Sequence, residues 1–136
     1  MTTEYRKPLP KPTPLSQPFW DGVKKHRLLV QKCTGCGKLR HAPKPFCPSC
    51  LSQEYTWAPL SGRGQVYTYT VMHRSPAPGF EEDIPYVVAL VELEEGVRMI
   101  SGIVGCPPDK VRVGMPVKVV YEDVSKEASI FKFSPA

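Results

Sequence analysis

The sequence predicts a mainly β protein in which a cysteine-rich metal ribbon precedes a small closed barrel. Three observations carry that prediction. Four of the five cysteines form two C-x-x-C pairs, Cys33/Cys36 and Cys47/Cys50, inside "CTGCGKLRHAPKPFCPSC". After Cys50 the apolar residues recur with period two, in short runs rich in Val, Ile, Tyr and Thr and bounded by Gly or Pro. Only one stretch near the N-terminus carries helical spacing.

Residues 1–14 are basic and proline-rich, with Pro8, Pro10, Pro12 and Pro14 alternating, and read as an extended arm with polyproline character. "SQPFWDGVKKHRLL" reads as a short helix. Ser16 is the expected N-cap and Pro18 falls in the first turn, where a missing N–H does no harm. Phe19 and Val23, with Trp20, make one apolar stripe, whereas Gly22 weakens the helix. His26 is expected at the helix end, where a cation suits the dipole. "LLVQKC" then leads as a strand into the cysteines.

Each C-x-x-C turn brings two sulfurs to one point, and two such turns supply the four soft ligands of a tetrahedral site. Cys33, Cys36, Cys47 and Cys50 are therefore the expected ligands of one structural Zn2+. The site would also accept iron in a recombinant sample. A four-sulfur shell leaves no open position, so the metal braces the chain and cannot activate water or a carbonyl. Two disulfides need an oxidising compartment, and a thioredoxin-like pair needs a βαβ setting that is absent here. His41 is a possible substitute ligand that four cysteines make unnecessary, and Cys106 reads as a quiet, partly buried thiol.

The strands expected after the ribbon are 64–74, 85–93, 97–105, 115–123 and the weaker 129–134, with a hairpin turn at 94–96. Gly62 and Gly64 are placed to bend the first of them. Tyr67 and Tyr69 share one face of that strand and Val66, Thr68, Thr70 and Met72 the other, so one set must line the core. Five strands with no helix between them suit an oligonucleotide/oligosaccharide-binding (OB) barrel. Phe80, Ile84, Tyr86 and Phe131 fall near loops or edges, where they either plug the barrel ends or await a partner.

Charge is divided unevenly. Residues 1–50 hold ten basic residues against Glu4 and Asp21, net +8, and the remaining chain holds eight basic against eleven acidic, net −3. Zinc on four thiolates would bring the first part to about +6. A single-stranded nucleic-acid module is one reading of a ribbon, a barrel and a pI near 9.0. The acidic second part, with only Tyr67 and Tyr69 as a stacking platform, argues against it. No Ser-His-Asp set, phosphate-binding glycine loop or paired carboxylates stand out; His73 reads as a loop-edge residue. No apolar run approaches a membrane span of about 20 residues, and the first residues lack the apolar core of a signal peptide. A cytoplasmic protein with reduced thiols and no membrane partner is the expectation.

"FWDGVKKHRLLVQKCTGCG", "CPSC", "SGRGQVYTYTVMHR", "PYVVALVELEEGVRMISGIVG", "VGMPVKVVYED" and the final "FKFSPA" occur in an order that resembles the acyl-CoA-associated zinc-ribbon/OB-fold family, domain-of-unknown-function family 35. The resemblance covers roughly residues 16–136. It implies an N-terminal arm and helix (1–30), a rubredoxin-like ribbon (31–57) and an OB-fold domain (58–136). It implies that Cys33, Cys36, Cys47 and Cys50 hold the metal, and it carries over no catalytic residue. It also implies a partner. Proteins of this kind are similar to the small subunits found with thiolase-fold enzymes, among them acetoacetyl-CoA, benzoylsuccinyl-CoA and steroid side-chain thiolases or aldolases. The expected role is a non-catalytic accessory subunit of a thiolase-type complex, with a stand-alone acyl-CoA-binding protein as an alternative. CoA presents phosphates and an adenine to basic and aromatic side chains, so Lys24, Lys25, Arg27, Arg40, Lys44, Arg63 and Arg74 are the candidate CoA contacts.

Overall fold

Helix α1 (Gln17–Lys24) forms where the apolar stripe placed it, with Phe19 and Val23 buried and Pro18 in its first turn. Its start differs from expectation. Ser16 has helical backbone angles and makes no capping bond; its hydroxyl instead accepts from the Thr13 N–H (2.9 Å). The preceding turn has consumed the would-be cap. The helix end explains Gly22. Arg27 N–H donates to Gly22 O (2.8 Å) and His26 N–H to Val23 O (2.9 Å), the paired bonds of a Schellman closure. A Cβ on Gly22 would stand 3.0 Å from Arg27 O and from the Leu29 side chain, so the returning chain needs a glycine there. His26 sits just past the helix in the left-handed region (φ 60).

The computed structural model describes residues 9–75, 78–79, 81–126 and 128–136. The first eight residues of the proline-rich arm, and Phe80, lie outside them. Strands β1 (Leu29–Cys33), β2 (Leu39–Arg40) and β3 (Tyr55–Pro59) make an antiparallel sheet in the order β2-β1-β3. β1 and β2 lead into and out of the first cysteine turn, and β3 returns along β1 with Cys33 opposite Tyr55 and Gln31 opposite Trp57. The sequence pattern did not announce β3, whose five residues "YTWAP" are too few to show an alternation.

The five expected strands are present as β4 (Arg63–Met72), β5 (Tyr86–Leu93), β6 (Arg98–Ile103), β7 (Pro116–Asp123) and β8 (Ser129–Pro135). They close in the order β4-β5-β6-β8-β7, with β7 pairing back onto β4. This is the five-strand OB connectivity, antiparallel except where Ile103 of β6 meets Phe133 of β8. The 94–96 turn closes the β5–β6 hairpin through Leu93 N–H to Val97 O (2.8 Å). Gly62 leads into β4 at φ +83, and a side chain there would collide with Val119 of β7.

Neither predicted face of β4 survives whole. A β-bulge falls between Val66 and Thr68. Val66 pairs with Val91, Tyr69 with Ala89 and Val71 with Val87, and those three partners are buried. The extra residue flips the alternation, so Tyr69 follows Val66 onto the side of the buried β5 residues, yet Val66 is buried and Tyr69 stays 37% exposed at the rim. Tyr67 stays outside, its ring beneath the Arg98 guanidinium (3.9 Å to the centroid).

One apolar cluster runs through the molecule. Phe19, Val23, Leu28 and Val30 join Val66, Val91, Leu93, Met99, Val117 and Phe133 of the barrel. Phe131 packs against it, edge-on to Phe19 (5.7 Å) and to Phe133 (6.1 Å). Phe131 therefore plugs the barrel end beneath the helix, and Ile84 and Tyr86 are half-buried.

Candidate metal centre and its surroundings

Two similar turns build the cysteine site. In the first, Gly37 N–H donates to Cys33 O (2.8 Å); in the second, Leu51 N–H donates to Cys47 O (2.8 Å). The ends are tied by Cys33 N–H to Lys38 O (2.9 Å) and Cys47 N–H to Ser52 O (2.8 Å). Gly37 has φ 79, a backbone conformation that glycine adopts without cost. The turns bring Cys33 Sγ to 3.4 Å from Cys50 Sγ and Cys36 Sγ to 3.6 Å from Cys47 Sγ. All four sulfurs lie within 4.8 Å of one another. A tetrahedral zinc with bonds of about 2.3 Å separates its sulfurs by about 3.8 Å, so the four thiols suit such an ion in number, chemistry and spacing.

The backbone prepares these sulfurs for ligation. Peptide N–H groups of Cys50 and Ser49 point at Cys47 and lower its pKa to about 6. The Cys36 N–H does the same for Cys33, against an opposing effect of burial. At Cys50 the Ser52 N–H pulls downward, but the Cys33 sulfur, burial and the other two thiols together push the value up to about 11. Four sulfurs this close cannot all ionise unless a cation neutralises them. Cys106 and His41 are not in the group. His41 lies against Phe19 (4.9 Å), and burial holds its pKa below the ordinary value.

The basic candidates do not converge. Lys24, Lys25 and Arg27 are exposed together at the end of α1, and Lys44 is exposed on the ribbon. Arg63 opens β4 and Arg74 lies beyond its other end, with a strand of about 30 Å between them. Arg40 is the exception to the expected exposure. It is 8% exposed, its Nε donates to Gln31 Oε1 (2.7 Å) and its Nη2 to Lys44 O (3.2 Å), and its guanidinium covers the Tyr55 ring. Gln31, wholly buried, also accepts from Lys44 N–H (2.8 Å). Arg40 is thus an internal tie of the ribbon, withdrawn from any surface ligand. Nothing in the sequence marked Arg40 off from the surface charges, because the Gln31 that buries it lies on another strand.

One Ser–Asp–His chain emerges that sequence reading missed. Asp123 Oδ1 accepts from the Ser129 hydroxyl and lies 3.0 Å from His26 Nε2, with the imidazole stacked on Tyr121 (4.9 Å, 5°). The Ser129 bond first, and His26 second, hold the Asp123 carboxyl below its usual range. The order is wrong for nucleophilic catalysis, because the carboxylate stands between hydroxyl and imidazole and is itself a weak base. The chain pins the helix end to β7 and β8. The tyrosine platform also fails to form, since Tyr67 and Tyr69 lie on opposite faces of β4. Among the described residues no helix is long and apolar enough to cross a membrane.

Comparison with known proteins agrees with this architecture. Two adjoining family models match, one described as the rubredoxin-like zinc ribbon domain of ChsH2 over residues 20–56 and one as its C-terminal OB-fold domain over residues 57–122. A solved structure titled Ltp2-ChsH2(DUF35) aldolase contains a chain that is 41% identical, with a TM-score of 0.84, covering 93% of this chain and 98% of that one. The chain belongs to the DUF35 family. A DUF35 domain-containing scaffold protein of Methanocaldococcus jannaschii is 36% identical over 85% of this DUF35 chain and 87% of its own length. A probable enoyl-CoA hydratase alpha subunit of Thermomonospora curvata is 45% identical over 87% of this chain. The chain spans only 37% of that relative's length.

Proposed function

We propose that this chain is a non-catalytic accessory subunit of a thiolase- or aldolase-type complex that makes or breaks a carbon–carbon bond in an acyl-CoA. Cys33, Cys36, Cys47 and Cys50 hold one structural zinc, with residues 31–57 acting as the ribbon and 58–136 as the OB-fold domain. The observation that carries the reading is the closed shell of four sulfurs, which leaves a bound metal no position for substrate. The hydroxyl–carboxylate–imidazole chain of Ser129, Asp123 and His26 is ordered for bracing, not for attack. The chemistry then belongs to a large thiolase-fold subunit, and this chain shapes or steadies its acyl-CoA site. The aldolase title of the 41% identical structure and the scaffold name of the archaeal relative support that division of labour. Of the basic candidates, Lys24, Lys25 and Arg27 stand close enough together to meet one set of CoA phosphates.

Reconstitution tests the reading. Ltp2, the component named beside ChsH2 in the related structure, is the first large subunit to use. Its activity on an acyl-CoA substrate is measured with and without the zinc-loaded full chain. The expected result is a stable complex with one zinc per copy of this chain, and activity or stability that falls when the chain is withheld. Full and lasting activity of the large subunit alone overturns the proposal.

A further inference from the structure

Among the described residues two non-glycine positions adopt left-handed backbone, His26 (φ 60) and Leu51 (φ 65). At His26 the conformation is matched by gains: it closes α1 and lets the imidazole reach Asp123 and Tyr121. At Leu51 the return is confined to the backbone, whose N–H closes the turn on Cys47 O while the Ser52 N–H bonds the Cys50 sulfur. Leu51 occupies the position in the second cysteine turn that Gly37 fills in the first, making the equivalent bond, N–H to the carbonyl of the leading cysteine. The turn requires a left-handed residue there. The first turn supplies glycine, and the second supplies a residue whose Cβ is disfavoured in that region. Nor is the side chain buried in exchange, for Leu51 is 69% exposed, the highest value among the exposed large hydrophobic residues.

Its surroundings have the character of a contact surface. Phe46, 47% exposed, precedes Cys47, and the Cys47 N–H to Ser52 O bond ties together the two ends of the turn that Phe46 and Leu51 flank. Lys38, at the end of the first cysteine turn, reaches across to donate from Nζ to Ser49 Oγ of the second (3.1 Å) and meets no carboxylate among the described residues. The metal shell would hold this knob rigid, so presenting it to a partner costs little ordering entropy. Ile100 and Val113 are also exposed, but neither has a left-handed backbone, and scattered apolar residues of that kind are ordinary on a surface. Left-handed residues other than glycine cluster at functional sites.

We infer that the second cysteine turn is the ribbon's docking knob for the large subunit. Leu51 enters an apolar pocket of that subunit, Phe46 covers its edge, and Lys38 pairs with a carboxylate at the rim. The inference rests on the accessory-subunit reading and adds where the contact lies and what chemistry the partner must present. Lys38, which meets no carboxylate among the described residues, selects an acid-rimmed pocket of the large subunit as the occupant.

The test uses the zinc-loaded full chain and Ltp2 as the large subunit, with affinity measured by calorimetry. Leu51→Gly removes the side chain while giving the turn the residue its backbone prefers. The free variant should keep its zinc and an unchanged or raised thermal midpoint, yet bind the large subunit at least about tenfold more weakly. Leu51→Asn, polar but tolerant of the left-handed region, should behave the same way, and Lys38→Glu should weaken binding further in low salt. Val113→Ser should bind as wild type does. Unchanged affinity in Leu51→Gly and Leu51→Asn overturns the docking knob, as does a loss of binding that only follows a loss of zinc or of thermal midpoint. If either variant instead breaks up a homodimer of the free chain with large-subunit binding intact, the large subunit is the wrong occupant and the inference falls. A wild-type chain that does not bind Ltp2 at all refutes the accessory reading for that partner, and the knob with it.

Discussion

The ribbon and the barrel are built from the same chain by opposite means. The barrel is an apolar solid, in which Val66, Val87, Ala89, Val91, Leu93, Met99, Val117 and Phe133 are each at most 2% exposed. Inside the ribbon sheet lie Gln31 and Arg40, two polar residues tied to each other, and two buried cysteines. The first region is held by water leaving apolar surface, which any sequence of suitable volume and alternation achieves. The second contributes Val30 to the shared core, with Leu39 and Trp57 packed against it, and depends further on a metal–sulfur node and a polar tie in which Gln31 Nε2 and Arg40 Nη1 are left without a partner. A small fold can thus be secured by many weak, replaceable contacts or by a few strong, irreplaceable ones. The second kind leaves the surface free for other uses, as the exposed Leu51 illustrates.

The sharpest way to break this contrast is Cys33→Ser. Zinc binding in small metal-held folds contributes on the order of 10 kcal/mol, so this change should empty the site and unfold the ribbon while the barrel strands persist. Metal content together with hydrogen exchange of β1 and β5 amides checks this; loss of protection in both regions at once would show that they fold as a single unit. A smaller effect comes from the other region. Phe133→Ala, at the centre of the barrel core, should cost about 3–5 kcal/mol in denaturant unfolding and leave the zinc content at one per chain.

The smallest effect belongs to the joint between them, where His26 meets Asp123. Because the folded Asp123 carboxyl is held below its usual range, its contribution to stability is present above the unfolded value of about 3.9. It is lost as pH falls below that point through the folded value. Wild type should exceed Asp123→Asn in stability near neutral pH, and the difference should vanish on acidification. Protonation of the thiolates should release the metal from both proteins alike in acid, so the difference between them isolates the carboxyl. A difference that grows as pH falls would reverse the sign assigned here.

Much of the site and the barrel was legible because the signals are local. Two residues between cysteines set a turn, and that spacing announced Cys33, Cys36, Cys47 and Cys50 before any fold was known. Period-two alternation announced β4 to β8 within a few residues at each end, since the existence of a strand shows in its own sequence. The stripe of Phe19 and Val23 announced α1 in the same way.

What the alternation could not show is where a partner strand forces an extra residue. The bulge after Val66 arises from pairing with β5, some twenty residues away, and it sent Tyr67 and Tyr69 to opposite faces. Arg40 looks in sequence like any surface charge. Only its pairing across to Gln31 on β1 buries it, because the hydrogen-bond acceptor that makes burial affordable comes from another strand. Ser16 has the chemistry of a helix cap, but a turn begun at Thr13 took its hydroxyl first. Leu51 reads as an ordinary apolar residue after a cysteine, and its left-handed backbone follows from how the turn closes on Cys47. The sequence alone determined which segments would be strand, helix or metal turn, since those choices depend on neighbours along the chain. Tertiary structure decided which of their side chains would be spent inside and which left for a partner, since that depends on atoms the chain brings back from far away.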